Sequence, residues 1–264
     1  MTDKLLIAEA ADRGGREEAM AVAEASRRGW SIERVALKNL RRGRANLQAA
    51  SLVVGSVPFV MSALKVAGFD PPEDECYPSA LRGFLHRSVR RRKLGQALSH
   101  IESSGSRLFV KPAARTKRFT GIVIDTPLDD RIADVPRSED VWVGEPVEWL
   151  SEWRAYVING EVAHTSFADG DRQIEPDRQT IADAAYQLHL DPSSPSACAL
   201  DFGVMKDGRS ALVEMNDGFS LGVYEGLKPE VYFGLLAARW EQIVGRDCRR
   251  GTAASPVRTP AKRW

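Results

Sequence analysis

The chain carries at Ala199–Gly222 the stretch ALDFGVMKDGRSALVEMNDGFSLG, in which two apolar runs flank Lys206–Arg209. Asp-Gly between two such runs predicts a β-hairpin, because type I′ turns favour Asp and Gly at positive φ. Asp201 lies on the first strand. Glu214 and Asn216 are two residues apart on the second strand and therefore share one of its faces. If the hairpin closes at the Asp-Gly pair, we expect Asp201 and Glu214 to lie roughly opposite each other.

This hairpin predicts a metal site. Two carboxylates and an amide oxygen on one surface are hard oxygen ligands, and Mg²⁺ binds through one or two carboxylates together with nucleotide phosphates. Asp201, Glu214 and Asn216 are therefore candidate Mg²⁺ ligands. The spacing alone leaves an alternative open, in which the three are solvated polar groups on an ordinary hairpin.

Composition narrows the class of protein. The 264 residues include 37 basic and 36 acidic side chains, for a net charge of +1, so no global charge bias favours a nucleic-acid or membrane partner. The cysteines Cys76, Cys198 and Cys248 are odd in number and widely spaced, which fits neither a disulfide framework nor a zinc site. No apolar run approaches the roughly 20 residues that span a bilayer. We expect a soluble cytoplasmic protein; its oligomeric state is not readable from the sequence.

The first part of the chain predicts a small α/β lobe. Short apolar strands alternate with helical spacing, as in a parallel sheet with crossover helices. The expected strands are Leu5–Ala8, Ile32–Leu37 and Leu52–Val54, and the expected helices are Arg16–Arg28 and Val57–Ala67. Asp70–Pro78, rich in proline and acidic residues, is expected to be a linker.

The remainder predicts a mixture of strands and helices of α+β type. The expected helices are Ser79–Leu85, Val89–Ile101, Pro176–Leu190 and Pro229–Val244. Besides the two strands of the hairpin within Ala199–Gly222, the expected strands are Arg107–Lys111, Gly121–Ile124, Val141–Val143, Trp153–Ile158 and Glu161–Phe167. Asn159-Gly160 predicts a second hairpin turn. The basic segment 246–264 shows no apolar periodicity, which predicts a disordered tail. The expected domains are 1–75 and 76–245, followed by that tail.

Lys111 is the last residue of an expected buried strand and directly precedes a basic loop, in the order Phe109-Val110-Lys111-Pro112. A lysine ammonium at that place can reach a nucleotide phosphate as a compact point charge. The alternative is a lysine that snorkels at a strand end. Lys93 is a second candidate, although it belongs to a charge run that could simply be solvated.

Two shorter motifs point to other enzyme classes. Asp201-Phe202-Gly203 matches the metal motif of protein kinases, but neither the His-Arg-Asp nor the Ala-Pro-Glu motif accompanies it. Gly218–Gly222 matches the nucleophile elbow of α/β-hydrolases, whose catalytic histidine follows the serine, whereas all four histidines of this chain precede it. The sequence therefore disfavours both classes.

Taken together, these motifs resemble the ATP-grasp family, which places an Asp on one strand and Glu-x-Asn on the next to hold Mg²⁺ against ATP. Val110-Lys111-Pro112 matches the family's Val-Lys-Pro. The chain is most similar to the compact clade named for two arginines and a lysine, and the resemblance covers roughly residues 50–243. It implies an ATP-grasp fold, with ATP and Mg²⁺ bound between two α+β lobes that follow a small N-terminal α/β lobe.

The resemblance also implies roles for individual residues. Phosphate contacts would come from Lys93 and Lys111 and from the covering loop that holds Lys117, Arg118 and Gly121. That loop has a single glycine where most members have several. The hinge backbone at Glu145 and Val147 would contact adenine, since Pro146 has no N–H. Glu152 would bind the ribose, and Arg154 would face the phosphates or substrate; Arg154 and Lys111 are the expected catalytic residues.

The function that this resemblance implies is an ATP-dependent carboxylate–amine ligase of peptide-bond type. A carboxylate would attack the γ-phosphate to give an acyl phosphate, and an amine would then displace phosphate. The partners would be small-molecule or peptide acids and amines. Two alternatives stay open: a nucleotide-binding regulatory protein that has lost ligation, and a small-molecule kinase.

Overall fold

A computed structural model describes residues 4–10, 15–73, 75–113 and 119–250, with side chains described as far as residue 245. In chain order the elements are β1 (Leu5–Glu9), α1 (Arg16–Arg27), β2 (Ser31–Val35), α2 (Leu37–Leu40), β3 (Ala50–Val54), α3 (Val57–Ala67), β4 (Val89–Lys93), α4 (Leu94–Ser104), β5 (Leu108–Pro112), β6 (Ile122–Ile124), β7 (Asp140–Gly144), β8 (Trp149–Ile158), β9 (Glu161–Gly170), α5 (Arg178–His189), β10 (Ala197–Met205), β11 (Ser210–Asp217) and α6 (Pro229–Arg250). Short 3-10 helices lie at Leu47–Ala49, Ser79–Phe84 and Asp130–Ile132.

The N-terminal lobe is a three-stranded parallel sheet in the order β2-β1-β3. This confirms the predicted α/β opening. α1 carries Glu17 and Glu18 in its first turn, where the positive end of the helix dipole stabilises their carboxylates. α3 ends at Gly68, whose φ of 88° is the left-handed conformation that glycine adopts at helix ends.

The second sheet is antiparallel in the order β4-β7-β5-β6, and α4 covers one of its faces. The prediction of one helix over Val89–Ile101 is wrong at its start, because Val89–Lys93 forms the edge strand β4. Arg91 and Lys93 lie opposite β7 and both form ion pairs with Asp140, at 3.5 and 2.9 Å. Pairing with β7 and these ion pairs stabilise the segment as a strand, although its sequence has no apolar periodicity.

The third sheet is antiparallel in the order β11-β10-β8-β9 and contains both predicted hairpins. Asn159 and Gly160 have φ values of 52° and 84°, the two positive angles that a type I′ turn requires. The β10–β11 turn differs from the type I′ prediction, since Gly208 alone among its residues has a positive φ, at 82°. There the Asp207 carboxylate accepts from the backbone N–H of Arg209 at 3.1 Å, which stabilises the turn.

The N-terminal lobe and α6 share one hydrophobic core. α6 contributes Phe233, Leu236 and Trp240 to the cluster that also holds the strands β1 and β3. The rings of Trp30 and Phe233 pack edge to face at 5.0 Å. The predicted boundary at residues 75 and 76 therefore does not separate two hydrophobic cores, and the division into domains stays a prediction.

The expected linker and the expected tail both differ from their predictions. Cys76 and Tyr77, at the end of the expected linker, are buried at 4% and 6% exposure. α6 continues to Arg250, so residues 246–250 of the predicted tail are helical. The rest of that tail, residues 251–264, lies outside the described residues. Within the described part of the chain, no helix is both long and apolar enough to cross a membrane.

Candidate functional site

The β10–β11 hairpin brings the predicted metal ligands together. Asp201 lies directly opposite Glu214, as the sequence predicted, and Arg154 on β8 lies opposite Asp201 on its other side. Asn216 is two residues further along β11, opposite Ala199. Because side chains alternate along a strand, these four polar residues share one face of the sheet.

Two ion pairs organise this face. Arg154 donates from Nε and Nη2 to the two carboxylate oxygens of Asp201, both at 2.7 Å. Lys111, on the second sheet, contacts Glu214 through its Nζ. Asn216 joins the two carboxylates, because its Nδ2 donates to Asp201 at 2.9 Å and to Glu214 at 3.2 Å. The site is therefore a continuous charged row, Arg154–Asp201–Asn216–Glu214–Lys111, that links the two antiparallel sheets.

Burial shapes the electrostatics of the charged row. Burial raises the pKa of Asp201, and the hydrogen bonds from Arg154 oppose this only in part. Burial is the strongest influence on Lys111 and lowers its pKa, but the charge of Glu214 and the contacts with Cys76 and Tyr77 together outweigh it, so that pKa lies above its usual value. Burial likewise lowers the pKa of Arg154, but the hydrogen bonds to Asp201 and the negative charge of that carboxylate together raise it above its usual value. Lys111 and Arg154 are therefore held as cations.

The donor set fits Mg²⁺ once its present contacts rearrange. Asp201, Glu214 and Asn216 offer carboxylate and amide oxygens within one cluster, as that ion prefers. Asn216 turns its amide nitrogen toward the carboxylates, so binding would require its amide to rotate. Lys111 and Arg154 supply positive charge to the same two carboxylates. Among the described residues, no group of three or more His, Cys, Asp and Glu is arranged as a metal site.

The expected linker covers Lys111, a feature that sequence reasoning missed. The Cys76 Sγ lies 3.4 Å from the Lys111 Nζ, and the centre of the Tyr77 ring lies 5.7 Å from it. The backbone carbonyl of Cys76 also accepts from the N–H of Met215 at 2.9 Å. These contacts fix the lysine in place but join positions far apart in the chain, so no local pattern could have predicted them.

The predicted adenine and ribose residues lie where the two sheets are connected. Glu145 and Val147 occupy the link between β7 and β8 and line a cavity of ≈ 260 Å³ with His86, Arg87 and the β10–β11 turn. The N–H of Glu145 donates to the carbonyl of Ser88 at 3.3 Å. Glu152 is half-buried, and burial, followed by the charges of nearby acidic residues including Asp201, raises its pKa.

The other residues predicted to contact phosphate are not part of the charged row. Lys93 is exposed and forms an ion pair with Asp140 at 2.9 Å. Gly121 packs on Phe109, so that a Cβ there would lie 2.8 Å from the ring. Lys117 and Arg118 lie outside the described residues. The roles of these residues stay predictions.

A loop after Asn216 closes the other end of the charged row. The Tyr156 hydroxyl donates to the carbonyl of Gly222 at 3.1 Å and accepts from the N–H of Tyr224 at 3.0 Å. The Arg154 guanidinium lies over the Tyr224 ring at 4.7 Å. Glu17 of α1 accepts from the N–H of Val223 at 3.1 Å. This loop therefore joins the N-terminal lobe to the charged row.

Two antiparallel sheets connected by a hinge, with acidic groups on one and a buried lysine on the other, form an ATP-grasp fold. The chain belongs to this superfamily: residues 84–235, more than half of it, match the model of an ATP-grasp domain, family 2 of the clade named for two arginines and a lysine. This confirms both the resemblance and the fold class predicted from the sequence. No protein with a curated description matches the chain.

Solved structures agree on the fold at low sequence identity. A RimK domain ATP-grasp protein from Sphaerobacter thermophilus is 16% identical, with a TM-score of 0.57, and the match covers 91% of this chain and 100% of that one. D-cycloserine synthetase DcsG is 14% identical, with a TM-score of 0.58 over 92% and 99%. The ATP-grasp ligase PsnB, complexed with a minimal precursor, is 13% identical, with a TM-score of 0.52 over 89% and 99%.

Proposed function

We propose that this protein is an ATP-dependent ligase that joins a carboxylate to an amine through an acyl phosphate. The observation that carries the proposal is the charged row, which links the two sheets of an ATP-grasp fold through Arg154 at one end and Lys111 at the other. Two cations that can contact phosphate and two carboxylates that can hold Mg²⁺, at the meeting of the lobes, are together suited to bind and neutralise a triphosphate.

Each residue of the charged row has a proposed role. Asp201, Glu214 and Asn216 would hold Mg²⁺, which would supply further neutralisation of phosphate charge. Lys111 would contact the phosphates from the end of β5, and Arg154 would face the transferred phosphoryl group and the acyl intermediate. Both cations contact the carboxylates proposed to hold Mg²⁺, so they already lie close to where Mg²⁺-bound phosphates would be.

The chemistry of the charged row favours a carboxylate nucleophile. A hydroxyl acceptor would call for a general base near the γ-phosphate. A carboxylate is ionised at neutral pH and needs none. Lys111 and Arg154 are cations and accept no proton, which suits a nucleophile that is already charged. The solved neighbours include a ligase and a synthetase, which supports the same class; the acid and the amine would each be a small molecule or a peptide.

The test uses hydroxylamine as a surrogate amine with a panel of amino acids and peptides. With the true acid, we expect a hydroxamate to form in step with ADP. Heavy oxygen placed in the acid's carboxylate should appear in the released phosphate, because that oxygen bridges the acyl phosphate. A stable phosphorylated alcohol without label in phosphate would instead identify a kinase.

A second candidate function is nucleotide binding without ligation. It is favoured by one observation, that Lys111 and Arg154 already neutralise the two carboxylates that a ligase would use for metal. This candidate predicts that Mg·ATP binds and that no acid in the panel releases ADP. The same hydroxamate assay, combined with calorimetric measurement of Mg·ATP binding, separates the two functions.

A further inference from the structure

A β-bulge in β11 determines which way Glu214 points. Asp201 lies opposite Glu214, but its neighbour Phe202 lies opposite Leu212, so Val213 is an extra residue between two paired ones. Residues two apart on a regular strand share a face. Across the bulge they do not, because Leu212 is buried in the core beside Phe202 while Glu214 joins the charged row.

Arg87 binds the backbone at this bulge. Its Nη1 donates to the carbonyl of Leu212 at 2.6 Å, and its Nη2 donates to the carbonyl of Val213 at 2.9 Å. The same Nη1 donates to the carbonyl of Leu85 at 3.1 Å. A planar guanidinium can satisfy two adjacent carbonyls at once, which an ammonium cannot do in the same geometry.

The surroundings of Arg87 restrict its movement. The guanidinium lies over the Trp149 ring at 5.2 Å, and the side chain is half-buried. Burial lowers the pKa of Arg87, and electrostatic interactions with Tyr77, Glu152 and Glu145 oppose this. The group therefore lies between the bulge, the segment that covers Lys111 and the predicted adenine and ribose residues.

We infer that Arg87 is a positioning residue, which fixes the Val213 bulge and thereby sets Glu214 opposite Asp201 for metal binding. Bulges unpair a strand locally, and the carbonyls freed at this one are held by the guanidinium. Arg87 comes from the segment that precedes β4, so it also ties the hairpin to the other sheet. The inference deepens the proposed function and rests on it for the metal role of Glu214.

The first experiment measures ADP binding by calorimetry, with Mg²⁺ and with EDTA, in the full chain. In Arg87→Ala we expect the gain in affinity that Mg²⁺ confers to fall by about tenfold or more, a free-energy change of about 1.4 kcal/mol. ADP binding in EDTA serves as the reference, because Arg87 also lines the cavity of the predicted adenine residues. The gain is the ratio of the affinities with and without Mg²⁺, so a general loss of ADP affinity cancels from it. Arg87→Lys should be intermediate, because one ammonium restores the charge but not both contacts.

Arg209→Ala is the matched control. Arg209 lies in the turn of the same hairpin, and its exposed guanidinium pairs with Asp207 at 2.6 Å instead of reaching the bulge. This variant should bind ADP as the wild type does under both conditions. An equal Mg²⁺ gain in wild type and Arg87→Ala would overturn the positioning role.

Hydrogen exchange in metal-free protein tests the bulge separately from the proposed function. Arg87→Ala should speed exchange in the segment Leu212–Met215 and leave α5 unchanged, whereas Arg209→Ala should do neither. Unchanged exchange at 212–215 would mean that Arg87 does not hold the bulge. If wild type shows no Mg²⁺-dependent ADP binding, the proposed metal site fails, and the exchange result alone then decides whether the bulge depends on Arg87.

Discussion

Lys111 is a buried cation whose partner, Glu214, is a proposed metal ligand. The contact has two consequences for binding. Within the pair, each group removes part of the cost of burying the other's charge. When a metal ion binds Glu214, the lysine would lose its partner and become available to phosphate. Because Lys111 would exchange Glu214 for phosphate, binding of the metal ion and binding of the nucleotide would each increase the affinity for the other.

Lys111→Ala should weaken binding of ATP more than binding of adenosine, because the variant loses a phosphate contact and no base contact. A charge-assisted hydrogen bond of this kind contributes about 1.5–3 kcal/mol. Competition with a fluorescent nucleotide measures both affinities. Lys65→Ala serves as a control, since Lys65 is an exposed lysine on α3 of the N-terminal lobe. Equal weakening of ATP and adenosine would assign Lys111 a structural role.

Asp201→Asn combined with Glu214→Gln tests the metal ligands. The amide side chains can still accept hydrogen bonds from Arg154 and Lys111, so we expect the double variant to fold. It should lose the Mg²⁺-dependent part of ATP affinity, because neutral oxygens bind the cation much more weakly than carboxylates. Calorimetry of Mg·ATP binding gives the answer, and affinity equal to wild type would remove both residues from the metal site.

Although the exact pairing of Asp201 with Glu214 depends on the bulge at Val213, the hairpin itself and the shared face of Glu214 and Asn216 could be predicted from the sequence, because hairpin formation and strand alternation follow local rules. The contacts of those carboxylates could not. The partners Arg154 and Lys111 come from other strands, and Cys76 and Arg87 come from segments without a regular pattern. Such contacts depend on tertiary packing, which spacing within one segment does not encode.

Among the elements, β4 shows where periodicity misleads. Val89–Lys93 contains four consecutive basic residues, and the helical spacing of α4 directly follows it, so the two are easily taken for one helix. Exposed charge on an edge strand is a device that prevents unwanted strand pairing. β4 lies at the sheet edge and its basic residues are exposed, so the charge run indicates an edge strand and not a helix face.

α1 is anchored by a carboxylate that holds two arginines. Glu24 is buried and binds Arg27 and Arg28, with the closest contact to each at 2.7 Å. Arg28 lies over the ring of Phe233 on α6 at 4.6 Å. Hydrogen bonds from Arg27 and then Arg28 lower the pKa of Glu24 to about 2. The interface between α1 and α6 therefore depends on an ionised Glu24.

Glu24→Gln should destabilise the protein near neutral pH, and the difference from wild type should shrink in acid. The folded pKa lies below the unfolded value of about 4.3, so the contribution is complete above that value and is lost as the pH falls toward about 2. Urea midpoints of both proteins between about pH 7 and pH 3.5 give the comparison. A difference independent of pH would show that packing, and not charge, carries the effect.

In the whole molecule, one hydrophobic core joins the N-terminal lobe to the rest of the chain, so we do not expect the lobes to unfold independently. Phe233 is 1% exposed and belongs to the cluster that joins α6 to the N-terminal sheet, where it meets Trp30. Tyr156 and Ala199, from β8 and β10, belong to the same cluster. An interface continuous with a hydrophobic core transmits unfolding from one side to the other, whereas a polar linker between separate cores does not.

We therefore predict that residues 1–75 and the rest of the described chain unfold in one transition. Phe233→Ala should lower the free energy of unfolding by about 3–5 kcal/mol, as truncation of a buried aromatic side chain does. Hydrogen exchange followed by mass spectrometry, across a urea series, reports β1 and β10 separately, and their midpoints should move together. Tyr186→Ala is the control, because Tyr186 is 60% exposed on α5 and its loss should shift neither midpoint. If β1 opened at lower urea than β10 in the wild type, the boundary predicted at residue 75 would be a true domain boundary, and α6 would belong energetically to the ATP-grasp sheets alone.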